Sequence, residues 1–166
     1  MDLRQSFTSQ YLAALAMMAQ AIDRCPPALW HDPQQKDQYW HIAYHALFYT
    51  HLYLHESGAT FVPWPQHRPE YQFLGPLPWP PHRLPEIGEA YTQAEVMAFL
   101  AFCRAEVVTR LAQTDFAAPS GFSWLPFDKL ELQVYNLRHL HQHIGELGAR
   151  LSAQGILIDW IGAAKA

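Results

Sequence analysis

Asn136-Leu-Arg-His-Leu-His-Gln-His-Ile-Gly-Glu-Leu-Gly148 sets His139, His141 and His143 at every second position of a stretch with helical patterning. On a helix, residues four apart stack on one face, while residues two apart point about 200° away from each other. His139 and His143 can therefore grip one ion together, and His141 faces nearly the other way. Neutral imidazole nitrogens suit zinc, nickel, copper and iron. The i, i+4 pair is half of a metal site, and another element must supply the rest.

The segment Tyr39 to His55 carries four more histidines. His45 has Ile42, Phe48, Tyr49 and Leu52 as same-face neighbours, which makes it the most core-like of the four. His41 lies one turn earlier beside Asp37 and Gln38 and looks wetter; it stands as the alternative ligand, one turn of register away. His51 sits near Leu47, Leu54 and His55 on another flank. His45, His139 and His143 together would form a three-nitrogen site with coordination positions left open, the arrangement of catalytic rather than structural zinc. Such an ion lowers the pKa of a bound water or thiol, or polarises a carbonyl. Tyr44, Tyr49, Tyr135, Asn136 and Glu146 are candidates to fix the imidazole tautomers. His51, His55, His67, His82 and His141 are expected at the surface or in loops.

Four helical segments would position these groups. The first spans roughly 6–24, with Leu12, Leu15, Met18, Ala19 and Ile22 at core spacing, and Cys25-Pro26-Pro27 stops it. The second starts at Asp32-Pro33, an N-cap followed by proline, and runs to about His55. The third opens on the capping box Thr92-Gln-Ala-Glu95. Val96, Phe99, Leu100, Cys103, Val107 and Leu111 follow it. The fourth opens near Asp128. Leu130, Gln133, Leu137, Leu140, Ile144, Leu147 and Leu151 form its seam, a 3-4 alternation that predicts bundle packing. Between the second and third lies Glu56 to Tyr91, with eight of the thirteen prolines plus Trp64, Tyr71, Phe73 and Trp79. Disordered segments are poor in aromatics, so this stretch is expected to be an ordered cover over one end of the bundle. The tail Gly155-Ile-Leu-Ile-Asp-Trp-Ile161 reads as a short packed helix. The expected architecture is all-α: an up-down four-helix bundle, a single domain over residues 1–166, with a long Pro-rich loop between helices 2 and 3.

Bulk properties narrow the partners. A net charge of −4 with no basic run argues against nucleic acid and anionic membranes. No apolar stretch reaches membrane-spanning length, and Met1-Asp-Leu-Arg-Gln-Ser lacks a signal-peptide core. Cys25 and Cys103 are isolated, which fits a reducing cytoplasm. Only 16% of residues are charged, and the tail is apolar, so a homodimer is expected. Cys103, inside an apolar helical pattern, reads as a small buried hydrophobe.

Two segments together resemble the DinB/YfiT-like superfamily of metal-binding four-helix bundles. Trp40-His-Ile-Ala-Tyr-His-Ala-Leu-Phe-Tyr-Thr-His-Leu-Tyr-Leu54 is similar to that family's second helix, and Tyr135-Asn-Leu-Arg-His-Leu-His-Gln-His-Ile-Gly-Glu-Leu147 to its last, with His-x-x-x-His followed by Gly-x-Leu. The resemblance implies metal ligands at His45, His139 and His143, the same three the residues point to. It departs at Ile144, where many members have a basic residue, and at Glu146, where many have Gln. It further implies one divalent transition metal (zinc, nickel or iron) and a small-molecule substrate, with a low-molecular-weight thiol as co-substrate. The implied activity is a thiol S-transferase or hydrolase acting on a small electrophile. A non-catalytic metal- or small-ligand-binding bundle is the alternative.

Overall fold

Asp2 opens the first helix by accepting from the backbone N–H groups of Arg4 and Gln5, satisfying two of the four donors a helix start leaves free. The computed structural model describes residues 2–164. Its elements in chain order are α1 (Leu3–Asp23), α2 (Pro27–Trp30), α3 (Tyr39–Tyr53), α4 (Gln93–Leu111) and α5 (Lys129–Ser152). The described residues form an all-helical bundle; their nearest approach to a sheet is an isolated bridge pairing Pro119 with Asp128. α1 and α3 each pack against both α4 and α5, and touch each other only marginally. No described helix is long and apolar enough to cross a membrane.

The caps expected for α4 and α5 are present. Thr92 and Glu95 form the reciprocal capping box, and the Asp128 carboxylate accepts from the Glu131 N–H at 2.8 Å. α3 differs from expectation: it begins at Tyr39, not at Asp32-Pro33. The proline start is used one step earlier, where Pro27 opens the four-residue α2. Asp32 turns its carboxylate to the Gln34 N–H at 3.0 Å, an Asx turn that competes with helix initiation.

The seam of α5 also shifts in its first half. Leu130 is exposed and Leu137 only half-buried, while Lys129, Leu132, Gln133 and Asn136 take the inward positions. These polar groups face inward because they close the carboxyl end of α3. Lys129 Nζ donates to the carbonyls of His55 and Glu56 at 2.8 and 2.7 Å and to that of Ser120. Gln133 Nε2 donates to the Tyr53 carbonyl, and Asn136 Nδ2 to the Thr50 carbonyl. Of the last carbonyls of α3, those of Thr50 and Tyr53 are thus satisfied by one stripe of α5, and those of His51 and Leu52 by the N–H groups of Leu54 and His55. Gly121 completes this corner: it sits at φ +84°, and a Cβ there would overlap the Glu56 carbonyl oxygen.

The segment between α3 and α4 is tied to the bundle by side chains. Trp64, Tyr71, Leu77 and Tyr91 are buried. The Trp30 indole donates to the Tyr91 carbonyl, and Arg68 bridges the Glu89 carbonyl and the Glu95 carboxylate. The tail is not a helix. It runs extended alongside α1, where Gln20 accepts from the Asp159 N–H and donates to its carbonyl, and Arg24 holds Asp159 and the Leu157 carbonyl. Alternation explains the conformation: Ile156, Ile158 and Ile161 turn inward, while Leu157 and Trp160 are 70% and 77% exposed.

Candidate metal centre

His45 on α3 and His139 and His143 on α5 come together. One potential ligand atom from each lies within 4.8 Å of the others. His45 Nε2 stands 3.1 Å from His139 Nε2. Around a tetrahedral ion with bonds of about 2.0–2.1 Å, ligand nitrogens sit about 3.3 Å apart, so these two nitrogens already have a ligand-like separation. The His143 ring centroid is 4.8 and 4.7 Å from those of His45 and His139.

Two of the three rings have their far nitrogen fixed. His45 Nδ1 lies 2.6 Å from the Gln72 carbonyl. A carbonyl only accepts, so the proton sits on Nδ1 and the Nε2 lone pair faces the other rings. His143 Nδ1 lies 3.2 Å from the Glu146 carboxylate, which leaves Nε2 as its free lone pair. Glu146 is itself anchored by Arg150, whose guanidinium also reaches the Asp37 carbonyl. This carbonyl–histidine and carboxylate–histidine pairing is what orients imidazoles at metal sites. His139 Nδ1 is buried with no partner, and its ring is held by the edge of Tyr49 instead. Burial, offset in part by the Gln72 carbonyl and reinforced by the other two rings, pushes His45 down to about 3. Burial and His143 push His139 down to about 4. Both are neutral at pH 7, the protonation state a metal ligand requires. The residues present therefore fit a divalent ion.

His45 is not the most core-like histidine of its helix, contrary to what its apolar neighbours predict; His45 and Tyr49 are the only residues of α3 that are not buried. Amphipathic ranking presumes one wet face, but α4, α5 and the 54–92 segment cover α3 on nearly every side. The triad lies along the one stripe of α3 that is only half-buried. His41, expected to be wetter, is buried: its Nε2 lies 2.8 Å from the Tyr71 carbonyl and its ring stacks on Trp40. It is not part of the cluster. His51 and His55 are buried as well, not at the surface. His67 is half-buried against the Tyr44 hydroxyl, His141 is half-buried, and His82 is exposed.

Of the groups considered as tautomer-fixing partners, Glu146 alone bonds a ligand ring. Tyr49 packs its ring 4.8 Å from that of His45. Tyr44 serves His67, and Asn136 serves the Thr50 carbonyl. Gln72 carried no signal in the sequence, because its contribution is a backbone carbonyl that any residue could supply. Cys103 is fully buried and its thiol is pushed well up by burial; Cys25 is pushed up to about 12 by the same cause. Neither offers a nucleophile.

His41 provides a pH test separate from the triad. Burial outweighs its carbonyl contact and lowers its pKa. The unfolded chain then takes a proton as pH falls through about 6.5 while the fold does not, so stability is lost toward acid, by about 1.4 kcal/mol per pH unit for one such group. Between pH 7.5 and 5.5, wild-type stability from urea unfolding should drop about 1 kcal/mol more than that of His41→Gln, which keeps a donor for Tyr71. Equal drops would show that His41 protonates freely in the fold.

Compared with known proteins, the chain matches no family model, no curated protein and no solved structure.

Proposed function

We propose that this chain is a divalent-metal-dependent enzyme of the thiol S-transferase or hydrolase type, acting on a small electrophile at His45, His139 and His143. One observation carries the reading: imidazoles from two helices converge at ligand spacing, two of them with acceptors on their far nitrogens, on the one half-buried stripe of α3. The resemblance of the 40–54 and 135–147 segments to DinB/YfiT-like helices supports it, as does the all-helical fold; the reading includes a four-helix up-down arrangement with the Pro-rich 56–91 segment as its cover. When bound, such an ion supplies Lewis acidity, which makes water and thiols more acidic and carbonyls more electrophilic.

The chain's own residues then orient and protonate. The Gln72 carbonyl and the Glu146 carboxylate hold the His45 and His143 rings in one tautomer. Glu146 has one oxygen on His143 and the other on Arg150, so it positions a ring and is not free to act as a base. Burial raises the Tyr49 phenol, which keeps its proton at Oη at neutral pH beside the triad. Neither potential fourth ligand closes the site: Glu146 engages the far nitrogen of His143, and His41 is turned to Tyr71.

One observation favours the alternative of a non-catalytic metal- or small-ligand-binding bundle. Two grooves run beside the start of α1 and beneath the 117–128 connection, away from the triad. Protein purified without a nickel column, then stripped and reloaded with zinc, nickel, iron or manganese, separates the readings. At least one equivalent of metal and consumption of small thiols with an electrophile panel are expected. Metal absent from native protein and unrestored by loading removes the enzyme reading; metal without turnover leaves the alternative. Light scattering of the same sample should show two copies, since exposed Leu157 and Trp160 suit a homodimer; a monomer rejects that part. Two buried free thiols suit a cytoplasmic setting.

A further inference from the structure

Six residues along α3 from His45, about 120° around the helix axis, His51 faces α4 rather than α5. Its Nε2 lies 3.0 Å from Nε2 of His55, one turn further on. Across from both stands the Glu106 carboxylate on α4, with Oε2 at 3.4 Å from His51 Nε2 and 3.8 Å from His55 Nε2. A triangle with these three sides has a circumradius (the product of the sides over four times the area) of about 2.0 Å. That equals the bond length of zinc to imidazole and carboxylate. Lifting the centre about 0.5 Å out of the plane lengthens each bond to only about 2.05 Å and opens a fourth direction. We propose that His51, His55 and Glu106 form a second divalent-cation site, which clamps the carboxyl end of α3 to α4.

The surroundings hold these three groups in place. His51 is fully buried, and its ring lies edge-on to Phe102, with Phe61 at 5.0 Å. The His55 ring is edge-on to Phe61. Arg110, one turn along α4, donates its Nε–H to Glu106 Oε2 and so fixes the carboxylate toward the histidines. The His55 carbonyl is anchored by Lys129. Two imidazoles with one carboxylate select a borderline first-row ion such as zinc. Calcium and magnesium prefer all-oxygen shells, and calcium needs bonds of about 2.3–2.6 Å. The charge of Arg110 opposes the cation, and His51 Nδ1 is buried without an acceptor. A missing partner on a ligand ring weakens metal affinity about 10–100-fold; His139 gives the triad the same handicap, so the Arg110 charge is what makes this the weaker site.

The proposal is independent of the triad, and its test separates the two. Chelator-stripped full-length protein is titrated with zinc and with cobalt. Bound metal is counted by elemental analysis, cobalt coordination is read by absorption, and folding is checked by circular dichroism. Wild type should take up two equivalents, the second more weakly. Glu106→Gln and His55→Asn should each keep only the tight equivalent. The double variant His139→Asn/His143→Asn should keep only the weak one, with a tetrahedral cobalt spectrum. Two results overturn the second site: a folded double variant that binds no metal, or a stoichiometry that neither Glu106→Gln nor His55→Asn lowers.

Discussion

Lys129→Met is expected to destabilise the fold by about 3 kcal/mol or more. The variant keeps the apolar stem and deletes only the ammonium. That ammonium is buried among the carbonyls of His55, Glu56 and Ser120. Hydrogen bonds to charged groups contribute about 1.5–3 kcal/mol each, and a buried acceptor left without a donor costs about 1–3 kcal/mol. The lysine occupies the first turn of α5, where its own helix dipole disfavours a cation. It is tolerated because it reaches the carboxyl end of α3, where the dipole has the favourable sign. For a chain of this size, about 2–4 °C is lost per kcal/mol, so a melting temperature about 6–12 °C lower is expected. A loss under about 1 kcal/mol in urea unfolding would mean that water replaces the ammonium at little cost, and that the corner is not held by charge.

The same stripe of α5 sets the register on which the metal centre depends. Lys129, Gln133 and Asn136 meet α3 between Thr50 and Glu56, and one to two turns later His139 and His143 meet His45. The sequence revealed the second half of this stripe and hid the first. An i, i+4 histidine pair is legible because few structural roles need it. Gln133 falls on the leucine-based seam and is buried, whereas Lys129 and Asn136 read as polar interruptions of it, so the pattern runs through Leu130 and Leu137 instead. The caps at Thr92 and Asp128 were legible because they depend on four neighbouring residues. The start of α3 was not: Asp32-Pro33 suits an Asx turn as well as an N-cap, and only the packing of Tyr39 and Trp40 in the core decides. Apolar neighbours mark His45 as core-like, yet it lies in the cluster as the least covered histidine of α3. Nothing local marks His51 and His55, because their partner, Glu106, lies on another helix with no spacing to announce it. From Ile156 to Asp159 the tail alternates half-buried and exposed residues, a strand-like period that a segment this short does not announce.

His139→Ala is expected to abolish the thermal protection that zinc confers through the triad. The variant Glu106→Gln serves as background, so that the other histidine pair does not contribute. An ion at about 100 times its dissociation constant stabilises the folded state by about 2.7 kcal/mol, a rise of about 5–11 °C for a chain of this length. Removing His139 deletes the nitrogen that stands 3.1 Å from His45 Nε2. What remains is His45 on one helix and His143 on the other, and the affinity should fall more than the roughly 100-fold seen for loss of an orienting partner. Metal-free stability should change little, because His139 leaves its own Nδ1 unpaired in the interior. His141→Ala is the control. That ring lies on the other side of α5, beside Ile144, Leu157 and Trp160, and its removal should leave the zinc-dependent shift intact. If zinc still raises the melting temperature of His139→Ala by the full amount, the ion sits elsewhere. If His141→Ala loses the shift instead, α5 presents the opposite face to α3.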